Sequence, residues 1–128
     1  MPISIKIPNK IIKEIIELSE NAFPNEFFAY LEGRITMSSV VIKNLAYYPN
    51  DTSATSVATI YHMGTYTADF VGTVHSHPGG SNHPSRADIS TFNKHGIAHF
   101  IIKSPFVLEN MKCYGPDGNE MEFEVLDK

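Results

Sequence analysis

Ile3-Ser4-Ile5-Lys6-Ile7 alternates apolar and polar positions with period two, the pattern of a strand with one buried face. From Lys10 to Glu20 the period lengthens. Ile11, Ile12, Ile15, Ile16 and Leu18 recur at helical spacing, with Lys13, Glu14, Glu17 and Glu20 on the other side. This predicts an amphipathic helix with Asn9 as its N-cap, stopped before Pro24. The segment from Asn25 to Gly33 has no single period; its aromatics favour a strand and Gly33 suggests a bend. Strands are expected over Arg34–Met37 and Val40–Tyr48, separated by Ser38-Ser39, then a break at Pro49-Asn50-Asp51.

Ser56–Tyr61 alternates like another strand, and Gly64–Asp69 reads as a turn or a short helix. Phe70–Val74 is a short apolar strand. A helix begins after Ser85 and ends near Gly96, followed by a central strand over Ile97–Lys103. Phe106–Tyr114 and Glu120–Leu126 flank Gly115-Pro116-Asp117-Gly118-Asn119, a hairpin turn between two edge-like strands. No repeat or low-complexity tract interrupts the series. The expectation is one α/β domain over 1–128, a mixed sheet with at least two helices.

Composition narrows the function classes. The chain has 128 residues, 42% hydrophobic and 11% aromatic, enough for one packed core. Its net charge is −4, and Arg86, Lys94, Lys103 and Lys112 are scattered, so no basic stripe suits nucleic acid. No apolar run is long enough to span a bilayer, and the start MPISIKIPNK lacks a signal peptide's apolar segment, making a cytoplasmic location the default expectation. A single cysteine, Cys113, excludes an internal disulfide framework and a thiolate-rich metal cage.

The chemistry concentrates in VHSHPGGSNHPSRAD, residues Val74–Asp88. His75 and His77 are two apart at the end of a predicted strand, so both imidazoles point to one side while Ser76 points away. Ser85 and Asp88 are three apart at a helix start. Serine caps there, and a carboxylate in the first turn is held ionised by the helix dipole. A capped turn is also a rigid mount for a ligand, so the structural and functional readings coexist. Two histidines and a carboxylate suit Zn²⁺ at a catalytic site, with a fourth position left for water. Average residue usage matches all four positions by chance roughly once in several hundred thousand starts, which favours a metal site over a polar loop. A bound water also needs a base. Glu26, opening the apolar segment Phe27–Leu31, and Glu32, beside Gly33, both remain candidates, with Glu26 preferred.

These residues together resemble the JAMM (MPN+) motif, a distant glutamate followed by H-x-H-x₇-S-x₂-D. In the family's glutamate element a glycine follows the glutamate by seven positions, and Gly33 meets that spacing from Glu26 rather than Glu32. FVGTVHSHP is similar to the family's approach to the metal. The likeness spans nearly the whole chain and resembles the minimal archaeal or bacterial members. It implies a cytidine-deaminase-like fold with a curved mixed sheet between helices. The implied activity is that of a zinc metalloprotease cutting amide or isopeptide bonds after the C-terminal glycine of ubiquitin-like proteins. On that pattern His75, His77 and Asp88 hold one Zn²⁺ per chain, Glu26 deprotonates the water, and Ser85 stabilises the oxyanion. The implied partners are ubiquitin-like modifiers and their conjugates, with sulfur-carrier proteins and linear fusions as alternatives. The oligomeric state stays open.

Other readings carry less. An inactive scaffold of the same fold generally lacks a ligand that this chain keeps, and the His-x-Glu and Pro-Cys-x-x-Cys elements of zinc nucleoside deaminases are absent. A lone cysteine gives little support to a redox or metal-storage module. His83 is read as an exposed turn residue, His62 and His95 as surface or strand-edge residues, and His99 as an interior hydrogen-bonding histidine. Cys113 is read as a packing residue without a paired base. Gly72 is expected to permit close packing or a bulge, and Phe27, Phe28 and Tyr30 to belong to the core. A substrate tail could add to a sheet edge near Ser56–Tyr61.

Overall fold

The computed structural model describes residues 3–47 and 70–127. The expectations over Pro49-Asn50-Asp51, Ser56–Tyr61 and Gly64–Asp69, and those for His62 and the sheet edge at Ser56–Tyr61, lie outside them. Strand β1 (Ser4–Pro8) leads directly into helix α1 (Asn9–Ala22). Then follow β2 (Phe28–Ile35), β3 (Ser39–Ala46), β4 (Phe70–His77), α2 (Arg86–Lys94), β5 (Ala98–Lys103), β6 (Met111–Tyr114), β7 (Glu120–Met121) and β8 (Glu124–Leu126).

Helix α1 forms where the helical period predicted it, but Asn9 does not cap it. Pro8 takes the N-cap position with extended backbone and no side-chain hydrogen bond, so Asn9 is the first helical residue. The strand runs straight into the helix through a proline that has no N–H to satisfy. Ile11, Ile12 and Ile15 face inward at no more than 2% exposure, each contributing about 1.5–3 kcal/mol of burial. The separate strand expected over Arg34–Met37 is the end of β2. Gly33 marks a register shift within β2 rather than a bend between strands, and a Cβ there would lie 2.1 Å from the Val41 carbonyl oxygen. Phe106–Asn110 is not a strand either; Leu108–Asn110 forms a 3₁₀ turn before β6.

Among the described residues eight strands form one sheet in the order β7-β6-β5-β4-β2-β3-β1-β8. Parallel pairs (β1 with β3 and β8, β4 with β5) are mixed with antiparallel ones. Glu120–Met121 and Glu124–Leu126 stand at opposite ends of that order, yet only Glu122 and Phe123 separate them in sequence. The three steps from Met121 to Glu124 reach at most about 11 Å. The sheet must therefore curl until its edges nearly meet, which is the curvature that the resemblance implies. The main core lies against α1 and gathers Ile5, Ile7, Phe27, Leu31, Val74 and Phe100 with their neighbours.

A smaller cluster of Phe92, Ile101 and Tyr114 seats α2. Phe92 stacks on His99 at 4.4 Å between ring centroids and lies 6.4 Å from both His75 and Tyr114. The β4-α2-β5 unit is a parallel crossover, and crevices outside the carboxyl ends of such strands are where ligands gather in α/β folds. No helix among the described residues is long and apolar enough to cross a membrane.

Candidate metal centre

His75 and His77 close β4. His75 is buried against Phe92, whereas His77 is half-buried at the rim. Their alternation puts the two Nε2 atoms 3.0 Å apart, facing each other. Asp88 enters from the first turn of α2, its Oδ2 lying 3.4 Å from His75 Nε2 and 3.5 Å from His77 Nε2. Donor atoms 2.0–2.1 Å from a tetrahedral zinc ion stand about 3.3–3.5 Å from one another. The two sides that meet at Asp88 have that length, and the His75–His77 side, at 3.0 Å, is slightly shorter. Among the described residues no other group of three His, Cys, Asp or Glu side chains is close enough to share an ion.

Local bonding aims His77 and Asp88. His77 Nδ1–H donates to the Ser81 carbonyl oxygen, which leaves the Nε2 lone pair directed at the centre. Lone pairs of His75 and His77 facing at 3.0 Å would repel unless a cation or a proton lay between them. The donor chemistry therefore fits a zinc ion held by His75, His77 and Asp88. Asp88 is set by a reciprocal cap: its backbone N–H donates to Ser85 Oγ at 3.0 Å, and the Ser85 N–H donates to Asp88 Oδ2 at 2.9 Å. Burial alone would push the Asp88 carboxyl up. The His75 and His77 imidazoles, with the Ser85 N–H, outweigh it and hold Asp88 well below the usual carboxylate range. Without a metal, the Asp88 carboxylate raises the His77 pKa by accepting a hydrogen bond from the protonated ring, against the effect of burial and with help from the Ser81 carbonyl and the charge of Glu26.

Glu26 is exposed and precedes the buried Phe27. It belongs to the segment that pairs with the end of β4, since Phe28 lies opposite His75. Ser85 is exposed beside Asp88. Its Oγ accepts the cap, and its O–H proton stays available to a further acceptor. All five residues singled out in the sequence thus belong to the same end of β4.

Several contributors were not visible in the sequence. Ser76 does point away from the metal side, and there it bonds the backbone of Phe27. Tyr114 donates its hydroxyl to the Asn82 carbonyl at 2.7 Å, and Asn82 Nδ2 donates to the Asn110 carbonyl at 3.0 Å. These bonds tether the loop joining His77 to Ser85. The one signal was a buried asparagine amid turn residues, and composition does not reveal burial.

The bystanders fall where chemistry puts them. His83 is exposed and donates its backbone N–H to Ser81 Oγ. His95 is half-buried rather than on the surface, with its ring edge-on to Tyr30 at 5.6 Å. His99 lies in the interior, bonded to Thr73 Oγ1 at 2.7 Å and to the Gly96 carbonyl at 3.1 Å. Cys113 is fully buried, and burial pushes its thiol up to about 12, which removes it as a nucleophile.

A family model for prokaryotic homologs of the JAB domain matches residues 8–114. A probable metalloprotease of Haloferax volcanii is 31% identical over 120 residues, spanning 88% of this chain and 73% of that protein. A solved structure described as JAMM, a metalloprotease-like zinc site in the proteasome and signalosome, superposes with a TM-score of 0.75. It is 32% identical and covers 97% of this chain and 99% of its own. A JAB1/MPN domain protein from Archaeoglobus fulgidus also gives 0.75, at 34% identity, with 95% and 99% covered.

Proposed function

This chain belongs to the JAB/JAMM family and carries its zinc-metalloprotease triad, and from that premise we propose that it hydrolyses the amide bond after the C-terminal glycine of ubiquitin-like proteins. The observation that carries the reading is the triangle of His75, His77 and Asp88 donor atoms, 3.0–3.5 Å apart, with the exposed carboxylate of Glu26 on the adjoining segment. Bound there, zinc would supply Lewis acidity, polarising the scissile carbonyl and lowering the pKa of water towards ~7.

The rest falls to the chain. Glu26 accepts a proton from the water as its oxygen adds to the carbonyl carbon, and returns that proton to the amine nitrogen as the C–N bond breaks. The Ser85 hydroxyl donates to the developing oxyanion from a backbone fixed by the helix cap. Exposure of Glu26 and Ser85 leaves the site open to a macromolecular tail rather than enclosing a small molecule. The choice of ubiquitin-like partners, as isopeptide conjugates, linear fusions or sulfur carriers, rests on the family likeness.

The test is a panel of isopeptide conjugates and linear fusions offered to wild type and Glu26→Gln, read by intact mass. Wild type should release a glycine-ended product. Glu26→Gln should keep its zinc and lose turnover by about 10²–10⁴-fold. Full activity in Glu26→Gln overturns the base assignment, and no cleavage of any glycine-ended conjugate overturns the substrate class.

A further inference from the structure

Ser76 stands between the two histidine ligands, is wholly buried and contributes nothing to the metal triangle. It meets Phe27, the residue after Glu26. The Ser76 N–H donates to the Phe27 carbonyl at 2.9 Å, and the Phe27 N–H donates to Ser76 Oγ at 2.8 Å. In a regular antiparallel ladder a hydrogen-bonded pair exchanges two backbone bonds. Ala29 lies opposite Val74 and Phe28 opposite His75, so Phe27 and Ser76 are the next such pair. Here the second bond goes to a side-chain hydroxyl instead of the Ser76 carbonyl. The ladder closes on Ser76 at the point where the chain turns out towards Glu26.

We propose that Ser76 is a positioning residue for the general base: its hydroxyl holds the Phe27 N–H and so fixes where the Glu26 backbone leaves the sheet beside the metal triangle. The proposal rests on the base role given to Glu26 above. The physical basis is the cost of the alternative. Phe27 is 1% exposed, so without the hydroxyl its N–H has no solvent to turn to. A buried donor left unsatisfied is costly, and the chain relieves that cost by shifting. A displacement of about 1 Å in a catalytic group is enough to cost about 10²-fold in rate.

The experiment compares Ser76→Ala, Ser76→Thr, Glu26→Gln and the Ser76→Ala/Glu26→Gln double variant. Zinc content, amide hydrogen exchange at Phe27, and kcat and KM on whichever panel conjugate wild type cuts are measured for each. Ser76→Ala should keep one zinc, exchange the Phe27 amide faster, and lose roughly 10–100-fold in kcat with KM within about twofold. Ser76→Thr, which retains a hydroxyl, should recover the protection and most of the rate. In the Glu26→Gln background Ser76→Ala should change the residual rate less than about twofold, because both act through one group.

Equal losses in the two backgrounds, or a zinc-loaded Ser76→Ala with wild-type kcat, overturn the positioning role while leaving the Glu26 reading intact. Full activity in Glu26→Gln, or a wild type that cuts no conjugate, overturns that reading and this one with it. If Ser76→Ala does not fold, Ser76→Cys fills the site with a slightly larger group that is only a weak sulfur acceptor and is read by the same criteria.

Discussion

Ser85 and Asp88 cap each other, and the Asp88 oxygen that takes the Ser85 N–H is the one facing both histidines: Oδ2 lies 2.9 Å from Ser85 N, 3.4 Å from His75 Nε2 and 3.5 Å from His77 Nε2. The helix start and the metal triangle therefore share an atom. The Ser85 hydroxyl holds the Asp88 backbone N–H at 3.0 Å, so removing it loosens the turn that carries this oxygen and should damage both. Ser85→Ala is expected to lower stability by about 1 kcal/mol, the worth of an N-cap. It should also weaken zinc about tenfold, as loss of a ligand-orienting group does. Urea unfolding of metal-free protein and a zinc-binding isotherm read the two effects separately.

Zinc should stabilise the fold by mass action, because its ligands come together from β4 and α2 only in the folded chain. At about 1,000 times its Kd the gain is about 4 kcal/mol, a rise in melting temperature of more than about 10 °C for a domain of this size. Chelation should reverse it. His77→Ala should show no comparable rise, and scanning calorimetry with and without zinc checks both.

Gly72 lies in β4 opposite Ala98 of β5, and a Cβ on it would sit 1.6 Å from the Ala98 carbonyl oxygen. Backbone cannot yield as a flexible side chain can. Gly72→Ala must part the two strands on which His75 and the seat of α2 depend, so a loss above about 4 kcal/mol is expected, with zinc binding lost as well. The urea midpoint measures it.

His99 carries a pH dependence. Burial lowers its pKa from 6.5 to about 4, and its bonds suit the neutral ring, with Nε2–H donating to the Gly96 carbonyl and Nδ1 accepting from the Thr73 hydroxyl. The unfolded chain takes up this proton below pH 6.5 and the folded chain only near pH 4. The stability that neutral His99 permits is thus complete above 6.5 and lost as the pH falls through that window. Wild type should lose roughly 1–3 kcal/mol more than His99→Gln between neutral pH and pH 4, by denaturant unfolding at a series of pH values. Equal losses would show that His99 does not titrate in this way.

Much of this was legible in the chain because the signals are local. Alternation in Ile3–Ile7 and helical spacing from Ile11 gave β1 and α1. His75, His77, Ser85 and Asp88 sit at fixed separations on one strand end and one helix start, so their spacing favoured a metal site, and the structure brings the three ligands together with Ser85 capping the helix beside them. What escaped depends on long-range pairing. The bond from Phe27 to Ser76 spans 49 residues, that from Tyr114 to Asn82 spans 32, and neither leaves a trace in local periodicity. The extra strand assigned to Arg34–Met37 failed because a glycine that reads as a bend instead accommodates the close approach of the Val41 carbonyl within one continuous strand. The asparagine cap failed because β1 and α1 share a boundary at Pro8, leaving no loop for Asn9 to close.

The central claim is that three side chains grip one zinc ion. Crystals grown from protein purified without chelator, with diffraction recorded on both sides of the zinc absorption edge, test it directly. A single anomalous peak about 2.0–2.2 Å from His75 Nε2, His77 Nε2 and an Asp88 carboxylate oxygen is the expected result. A zinc peak at other residues, or zinc-replete crystals with no peak within reach of these three atoms, would contradict it.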